Sequence, residues 1–248
     1  MLSKTHSKYI QTLHHKKFRD AENLFIVEGS KVVMELLRSQ KFVCTEILGL
    51  QEWLHENEAL LRKHYSGPLQ AIEAYELEKI SALSTPNQVL AIFKKAAAPA
   101  ITVQGKINLL LDNIQDPGNM GTIIRIADWF GISNIICSAH SAEMYNPKVV
   151  QSTMGSLGRV NVIYTDLAQW IQQQQPVKVY AAALNGKAMQ QFGGLKEGLI
   201  VVGNESKGIS EAILQMANER ITIPKFGEAE SLNAAVATGI ILSHLVQG

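Results

Sequence analysis

From Ile107 onward the chain alternates short, nearly pure apolar runs with helix-patterned stretches, and this alternation constrains the fold more than any other feature. The apolar runs are Ile107–Leu111, Asn134–Cys137, Val160–Tyr164, Val177–Ala182, Leu199–Val202 and Arg220–Ile223. Between them the pattern predicts helices at Met120–Phe130, Lys148–Met154, Leu167–Gln174, Ser210–Ala217 and Leu232–Val246. Strands without a polar face must be covered on both sides, so the expected fold class is α/β, a mostly parallel sheet flanked by helices. Ligands of such sheets bind beyond the carboxyl ends of the strands. The loops after Leu111, Ala182, Val202 and Ile223 are therefore the places to look for function.

Ahead of this region the same alternation is shorter and less pure. Leu24–Val27, Val43–Leu48, Leu69–Ile72 and Val89–Phe93 are strand-like, with helical text at Ser30–Arg38, Gln51–Lys63 and Glu76–Leu83. This predicts a smaller α/β sandwich. KKAAAPAITVQG, at Lys94–Gly105, is rich in small residues and lacks amphipathic period, so it reads as a linker. The expected division is residues 1–94, a linker at 95–105 and a second domain at 106–248.

Composition excludes several classes. No apolar run reaches the ~18 residues of a membrane helix, and Met1–Asp20 is polar and basic, unlike a secretory signal. Cys44 and Cys137 sit in apolar runs without metal-site spacing, which suits free thiols in a reducing compartment. The expectation is a cytoplasmic protein with no membrane partner and no metal. A net charge of +1 does not mark a nucleic-acid binder, but its distribution is uneven. Lys4, Lys8, Lys16, Lys17 and Arg19 face only Asp20 among the first twenty residues. A basic arm like this attracts phosphate, although a solvated helix face has the same composition.

Three of the four loops carry unusual text. DNIQDPGNMGTIIR, at Asp112–Arg125, follows a buried strand and opens a helix, with Asn119 as the expected cap. Arg125 falls on a side otherwise made of Ile and Ala, where a guanidinium needs either a partner, Asp116 or Asp128, or a task. VVGNESKGIS, at Val201–Ser210, brackets Glu205 and Lys207 between Gly203 and Gly208, without the spacing of a phosphate-binding loop. The dinucleotide glycine fingerprint is missing too, which argues against a nucleotide-dependent oxidoreductase. In IPKFGEAESLNAAVA, at Ile223–Ala237, Ser231 is the expected cap and Asn233 lies in the first turn. Taken alone, the second loop also fits a plain strand-to-helix turn and the third a capped, buried C-terminal helix.

Together and in this order, the three texts resemble the SpoU (TrmH) family of RNA ribose methyltransferases, within the SPOUT superfamily. The match runs from about Ile107 to the C-terminus. NLFIVEGSKVVMELL, at Asn23–Leu37, resembles the ribosomal-protein-like RNA-binding domain that precedes the catalytic domain in many members. The resemblance implies a trefoil knot, a homodimer through the knotted domain, and S-adenosylmethionine as cofactor. It implies RNA as substrate, ribosomal RNA ahead of transfer RNA. The implied cofactor-binding residues are Leu184, Asn185, Gly186, Val202, Gly203, Asn204, Gly208, Ile223, Pro224, Ser231 and Leu232. The implied catalytic residues are Asn119, Arg125, Glu205, Ser231 and Asn233. Trp129 and Phe130 are bulkier than the pattern leads one to expect and fit a dimer surface. An RNA-binding or ribosome-assembly protein that kept the fold without catalysis is the alternative.

The implied reaction is an in-line methyl transfer to a hydroxyl that loses its proton as it attacks. A guanidinium stays protonated in proteins, so Arg125 suits phosphate gripping and alkoxide stabilisation better than proton abstraction. Asn119 is expected to orient Arg125 or the ribose, and Glu205 to position the same network. Arg159, in the turn Met154–Arg159, is a second candidate phosphate contact.

Overall fold

The structure is a computed structural model and describes residues 1–246, so the last two residues of the expected domain 106–248 lie outside the described residues. The chain forms two compact units that are discontinuous in sequence. One is Met1–Ala97 with Tyr145–Arg159, and the other is Ala98–Met144 with the chain from Val160 onward.

The first unit contains α1 (Lys4–Thr12), α2 (Lys16–Glu22), β1 (Leu24–Glu28), α3 (Ser30–Ser39), β2 (Cys44–Gly49), α4 (Gln51–His64), β3 (Leu69–Ala71), α5 (Ala74–Ile80) and β4 (Val89–Lys94). Its strands form a mixed sheet in the order β1-β4-β2-β3, with β4 antiparallel to β1 and β2, and β3 parallel to β2. Phe25, Ile26, Val27 and Leu90–Phe93 are all buried, as expected for strands without a polar face. Helix α5 starts two residues earlier than its apolar period suggests, because the Glu76 carboxylate accepts from the Glu73 backbone N–H at 3.0 Å and closes the first turn.

The turn Met154–Arg159 belongs to this unit. A Cβ at Gly155 would lie 2.5 Å from the Glu35 side chain, and one at Gly158 would lie 2.7 Å from Ser39. Arg159 pairs with Glu35 at 2.7 Å. The two glycines thus permit close docking on α3, a role that the turn's spacing does not announce.

Arg19 requires a correction. It is 1% exposed, and its guanidinium donates to the carbonyls of Leu13 and His14 at 3.0 and 2.7 Å. It fastens α2 to the preceding turn and is not available to phosphate. Lys16 is paired with Asp20 at 2.9 Å. Lys4, Lys8 and Lys17 are exposed.

The second unit contains β5 (Ile107–Asp112), α6 (Pro117–Trp129) and β6 (Asn134–Ser138). Helix α7 (Pro147–Thr153) intervenes but packs on β1 of the first unit. Then follow β7 (Asn161–Thr165), α8 (Leu167–Gln173), β8 (Val179–Ala188), β9 (Gly198–Gly203), α9 (Glu211–Leu214), β10 (Glu219–Thr222) and α10 (Ala234–Leu245). The sheet order is β10-β8-β9-β5-β6-β7, and every adjacent pair is parallel. At the opposite end from the cleft, Asn108, Asn134 and Asn161 form a side-chain ladder across β5, β6 and β7. The Asn134 amide donates to Asn108 at 2.9 Å, and the Asn161 amide donates to Asn134 at 3.2 Å.

Several local expectations change. Strand β8 runs on through Leu184 and Gly186 to Ala188, and α9 is a single turn. Val103, in the linker, is buried in the core of the second unit, so the linker's end is anchored. The cap of α6 is Asp116, whose Oδ1 accepts from the Asn119 N–H at 2.8 Å, with Pro117 opening the helix. The cap of α10 is Asn233, not Ser231; its Oδ1 accepts from Ala235 and Val236 N–H at 3.0 and 3.2 Å. In both cases the helix begins where the side-chain acceptor can reach the free amides of the first turn.

Both cysteines are free. Burial pushes the Cys44 thiol up to about 12 and raises Cys137 as well. Neither is a nucleophile at neutral pH. No helix among the described residues is long and apolar enough to cross a membrane.

Candidate active site

The carboxyl ends of β5 and β9 lie side by side, with Asp112 opposite Gly203. From there the chain is folded back by a set of short bonds. Buried Asp112 accepts from the Ser210 N–H at 2.7 Å and from the Asn113 amide at 3.0 Å. The Asn204 amide donates to the Asn113 carbonyl at 3.0 Å, while its Oδ1 accepts from Ser206 and Lys207 N–H at 2.9 and 3.1 Å. Asn204 and Gly208 also exchange backbone hydrogen bonds. Gly208 has φ +69°, and a Cβ on Gly203 would lie 2.3 Å from the Gly208 carbonyl carbon. Both glycines are thus required by geometry, one by its left-handed backbone and one by close approach.

This loop holds Glu205 against α6. The Glu205 carboxylate accepts a short hydrogen bond from the Asn119 amide, and Asn119 Oδ1 accepts from the Asn233 amide at 2.8 Å. Three loops far apart in sequence are thereby tied side chain to side chain. Three of the five expected catalytic residues are brought together. Ser231 lines the adjoining cleft without a side-chain bond among the described residues. Arg125 is exposed on α6, and neither Asp116 nor Asp128 forms an ion pair with it. The Asn119 amide is engaged by Glu205 on one side and Asn233 on the other, and no bond joins Asn119 to Arg125 among the described residues.

Beneath this network lies a cavity of ≈ 750 Å³. Leu184, Asn185, Val202, Gly203, Asn204, Gly208, Ile223, Pro224, Ser231 and Leu232 all line it. Gly186 does not. A Cβ there would lie 2.4 Å from the Arg220 carbonyl oxygen, so Gly186 lets β8 and β10 approach. Ala182, Ala183, Ala234 and Ala237 leave the volume open, and Ile209, Ile221 and Ile241 supply apolar wall. The size and mixed lining suit a nucleoside-sized ligand: apolar surface for a flat ring, loop backbone for its edges, and polar side chains at the mouth. S-adenosylmethionine fits that description. Among the described residues no group of His, Cys, Asp or Glu side chains could hold a metal ion.

Sequence reasoning missed Asp112, Asn113 and Asp116. The signal was present as polar residues directly after an apolar strand, but only the fold shows that they clamp the Gly203–Gly208 loop and cap α6.

Solved structures with the same architecture sharpen the class. A TrmH-family protein from Porphyromonas gingivalis is 35% identical, with TM-score 0.85, covering 98% of this chain and 97% of that one. An AdoMet-bound rRNA methyltransferase from Sinorhizobium meliloti is 29% identical, with TM-score 0.86, covering 98% and 95%. Fold and cleft together define a methyltransferase that uses S-adenosylmethionine. The description "SpoU rRNA Methylase family" matches residues 106–243, and "MRM3-like substrate binding domain" matches residues 4–91. The 23S rRNA (guanosine(2553)-2'-O)-methyltransferase RlmP of Bacillus subtilis is 32% identical over 94% of this chain and 92% of its own. The chain belongs to the SpoU rRNA methylase family.

Proposed function

We propose that the protein transfers a methyl group from S-adenosylmethionine to a ribose 2'-hydroxyl in ribosomal RNA, with transfer RNA the second candidate substrate. The observation that carries this reading is the Glu205–Asn119–Asn233 chain at the mouth of a nucleoside-sized cavity. The bound cofactor supplies an electrophilic methyl group. The chain's own residues supply position and charge. Asn119, Glu205 and Asn233 form a pre-organised polar edge on which a ribose can be held. Arg125 grips a neighbouring phosphate and stabilises the developing alkoxide, while the proton leaves to phosphate or water. The test is transfer of labelled methyl groups to ribosomal RNA from a strain lacking the enzyme, followed by mapping of the modified ribose. The absence of incorporation into ribosomal and transfer RNA would overturn the reading.

Cofactor binding has its own measurement. S-adenosylhomocysteine at a hundredfold excess over its Kd should stabilise the fold by about 2.7 kcal/mol. In a chain of this size that raises Tm by about 5–10 °C. An unchanged Tm at millimolar ligand would count against an enzyme.

Residues 1–94 are the RNA-capturing part in this reading, with 95–105 a linker and 106–248 the methyl-transferring part, although Tyr145–Arg159 pack within the first unit. Lys4, Lys8 and Lys17 are the arm's available cations. Replacing all three with Gln should weaken RNA binding and flatten the salt slope by about 2–3, because each neutralised phosphate contributes about 0.7–0.9 to that slope. S-adenosylhomocysteine affinity should not move. An unchanged slope would remove the arm from the interface.

We also assign the protein to a cytoplasmic homodimer, with the trefoil threading of its family in the second unit. Trp129 is 84% exposed on α6, Val236 is exposed on α10, and these two helices pack together. A large aromatic left in water on such a face suits a partner copy. Light scattering should give a dimer at micromolar concentration, and Trp129→Lys should shift it to monomer. A monomeric unaltered chain would refute this assembly.

A further inference from the structure

Most exposed large apolar side chains of this protein are scattered, but three stand on the rim of one cavity. Leu184 is 78% exposed, Phe226 98% and Leu232 45%, and all three line the cleft that also contains Glu205. Phe226 is the extreme case. It lies on the loop between β10 and α10, and its neighbour Gly227 has no atom within 4 Å of where a Cβ would sit. Beyond half-buried Ile223 and Pro224 the loop from Lys225 to Leu232 is exposed. A phenyl ring held entirely in water beside a ligand cleft costs solubility and contributes nothing to the core, so its use lies with something that arrives.

The surrounding charge narrows what that is. Glu228 and Glu230 follow Phe226 on the same exposed loop. Exposed Lys225 precedes Phe226 on that loop and lines the cleft together with Lys207, so the rim carries both signs of charge and is no dedicated phosphate site. A nucleobase carries no charge, presents a flat face to an aromatic ring, and offers edge N–H groups to carboxylates. Asn233 joins the network at the cleft mouth and is adjacent in sequence to Leu232 on the rim. A ribose held at Asn119 and Glu205 carries its own base on the same nucleotide, within reach of this rim.

We propose that Phe226 is the stacking platform for the base of the nucleotide being methylated. This rests on the RNA methyl-transfer reading above and adds to it that the target base is unstacked from its RNA neighbours when the ribose enters the site. Such a platform tolerates any base face.

The test uses the full chain and in vitro-transcribed 23S ribosomal RNA. Phe226 supports no packing, so Phe226→Ala should fold with unchanged Tm. Its Kd for S-adenosylhomocysteine should stay within twofold, while kcat/KM for RNA falls about 5- to 150-fold, the loss expected for one base–aromatic stack. Phe226→Trp should restore turnover and Phe226→Leu should not. The added indole of Phe226→Trp should be quenched when RNA binds, measured against the unaltered chain. Three results overturn the proposal. One is a tenfold loss of S-adenosylhomocysteine affinity in Phe226→Ala, which makes the ring a cofactor cover. Another is rescue by Leu equal to that by Trp, which makes it a general apolar contact. The third is an indole that RNA does not quench. Quenching needs no turnover, so this arm separates failure of the platform from failure of the methyl-transfer reading.

Discussion

Arg125→Ala should lose two to four powers of ten in single-turnover methyl transfer, the effect expected when one transition-state electrostatic interaction is removed. Its Tm should stay within the scatter of surface substitutions, because Arg125 is exposed and has no carboxylate partner in Asp116 or Asp128. S-adenosylhomocysteine affinity should be unchanged, since Arg125 does not line the cavity. Arg125→Lys keeps the charge but loses the planar fork that holds phosphate through two parallel bonds, so only weak activity should return. A structural role predicts the opposite pattern, a lower Tm with normal turnover. Wild-type single-turnover rates in folded Arg125→Ala would return the residue to the scaffold.

Much of this site is legible in the sequence because it lies where elementary rules put it. The apolar runs Ile107–Leu111 and Leu199–Val202, alternating with helical text, read as doubly covered strands, and a parallel sheet offers its carboxyl ends to ligands. That reasoning points to the loops after Leu111, Ala182, Val202 and Ile223, and the resemblance to the SpoU family singles out Gly203, Glu205, Ile223 and Leu232 within them. The less legible features are those that depend on distant parts of the chain. Arg19 carries the same charge as Lys17, but the turn at Leu13 and His14 buries it, and no local pattern distinguishes the two. Gly155, Gly158 and Gly186 look like ordinary turn or strand glycines until α3 and β10 are found against them. Asn119 looks like a helix cap because its residue type fits; Asp116 has the better reach, which frees the Asn119 amide to bridge Glu205 and Asn233. In each case the residue type is informative and its partner is not, because the partner is set by the fold and not by the local pattern.

The bridge makes a sharp forecast for Gly203. Its Cα faces the returning strand of its own loop, where an added Cβ would come within 2.3 Å of the Gly208 carbonyl carbon and 2.4 Å of the Ile209 nitrogen. Backbone atoms cannot swing aside as a flexible side chain can, so Gly203→Ala must push the 204–208 segment outward. That movement breaks the backbone pair between Asn204 and Gly208 and draws Glu205 away from Asn119. Overpacking of this kind costs roughly 1–3 kcal/mol, a fall of about 5- to 150-fold in S-adenosylhomocysteine affinity if the strain is relieved at the cavity wall. Methyl transfer should fall further than binding, because the loop carries both the wall and the Glu205 end of the polar edge. Gly227→Ala is the matched control: it lines the same cleft, and its Cβ would meet nothing within 4 Å. Calorimetric titration of the two variants separates the ideas cleanly. Equal affinities would mean that the Gly203 loop yields without cost, and that its glycine is there for some reason other than close approach.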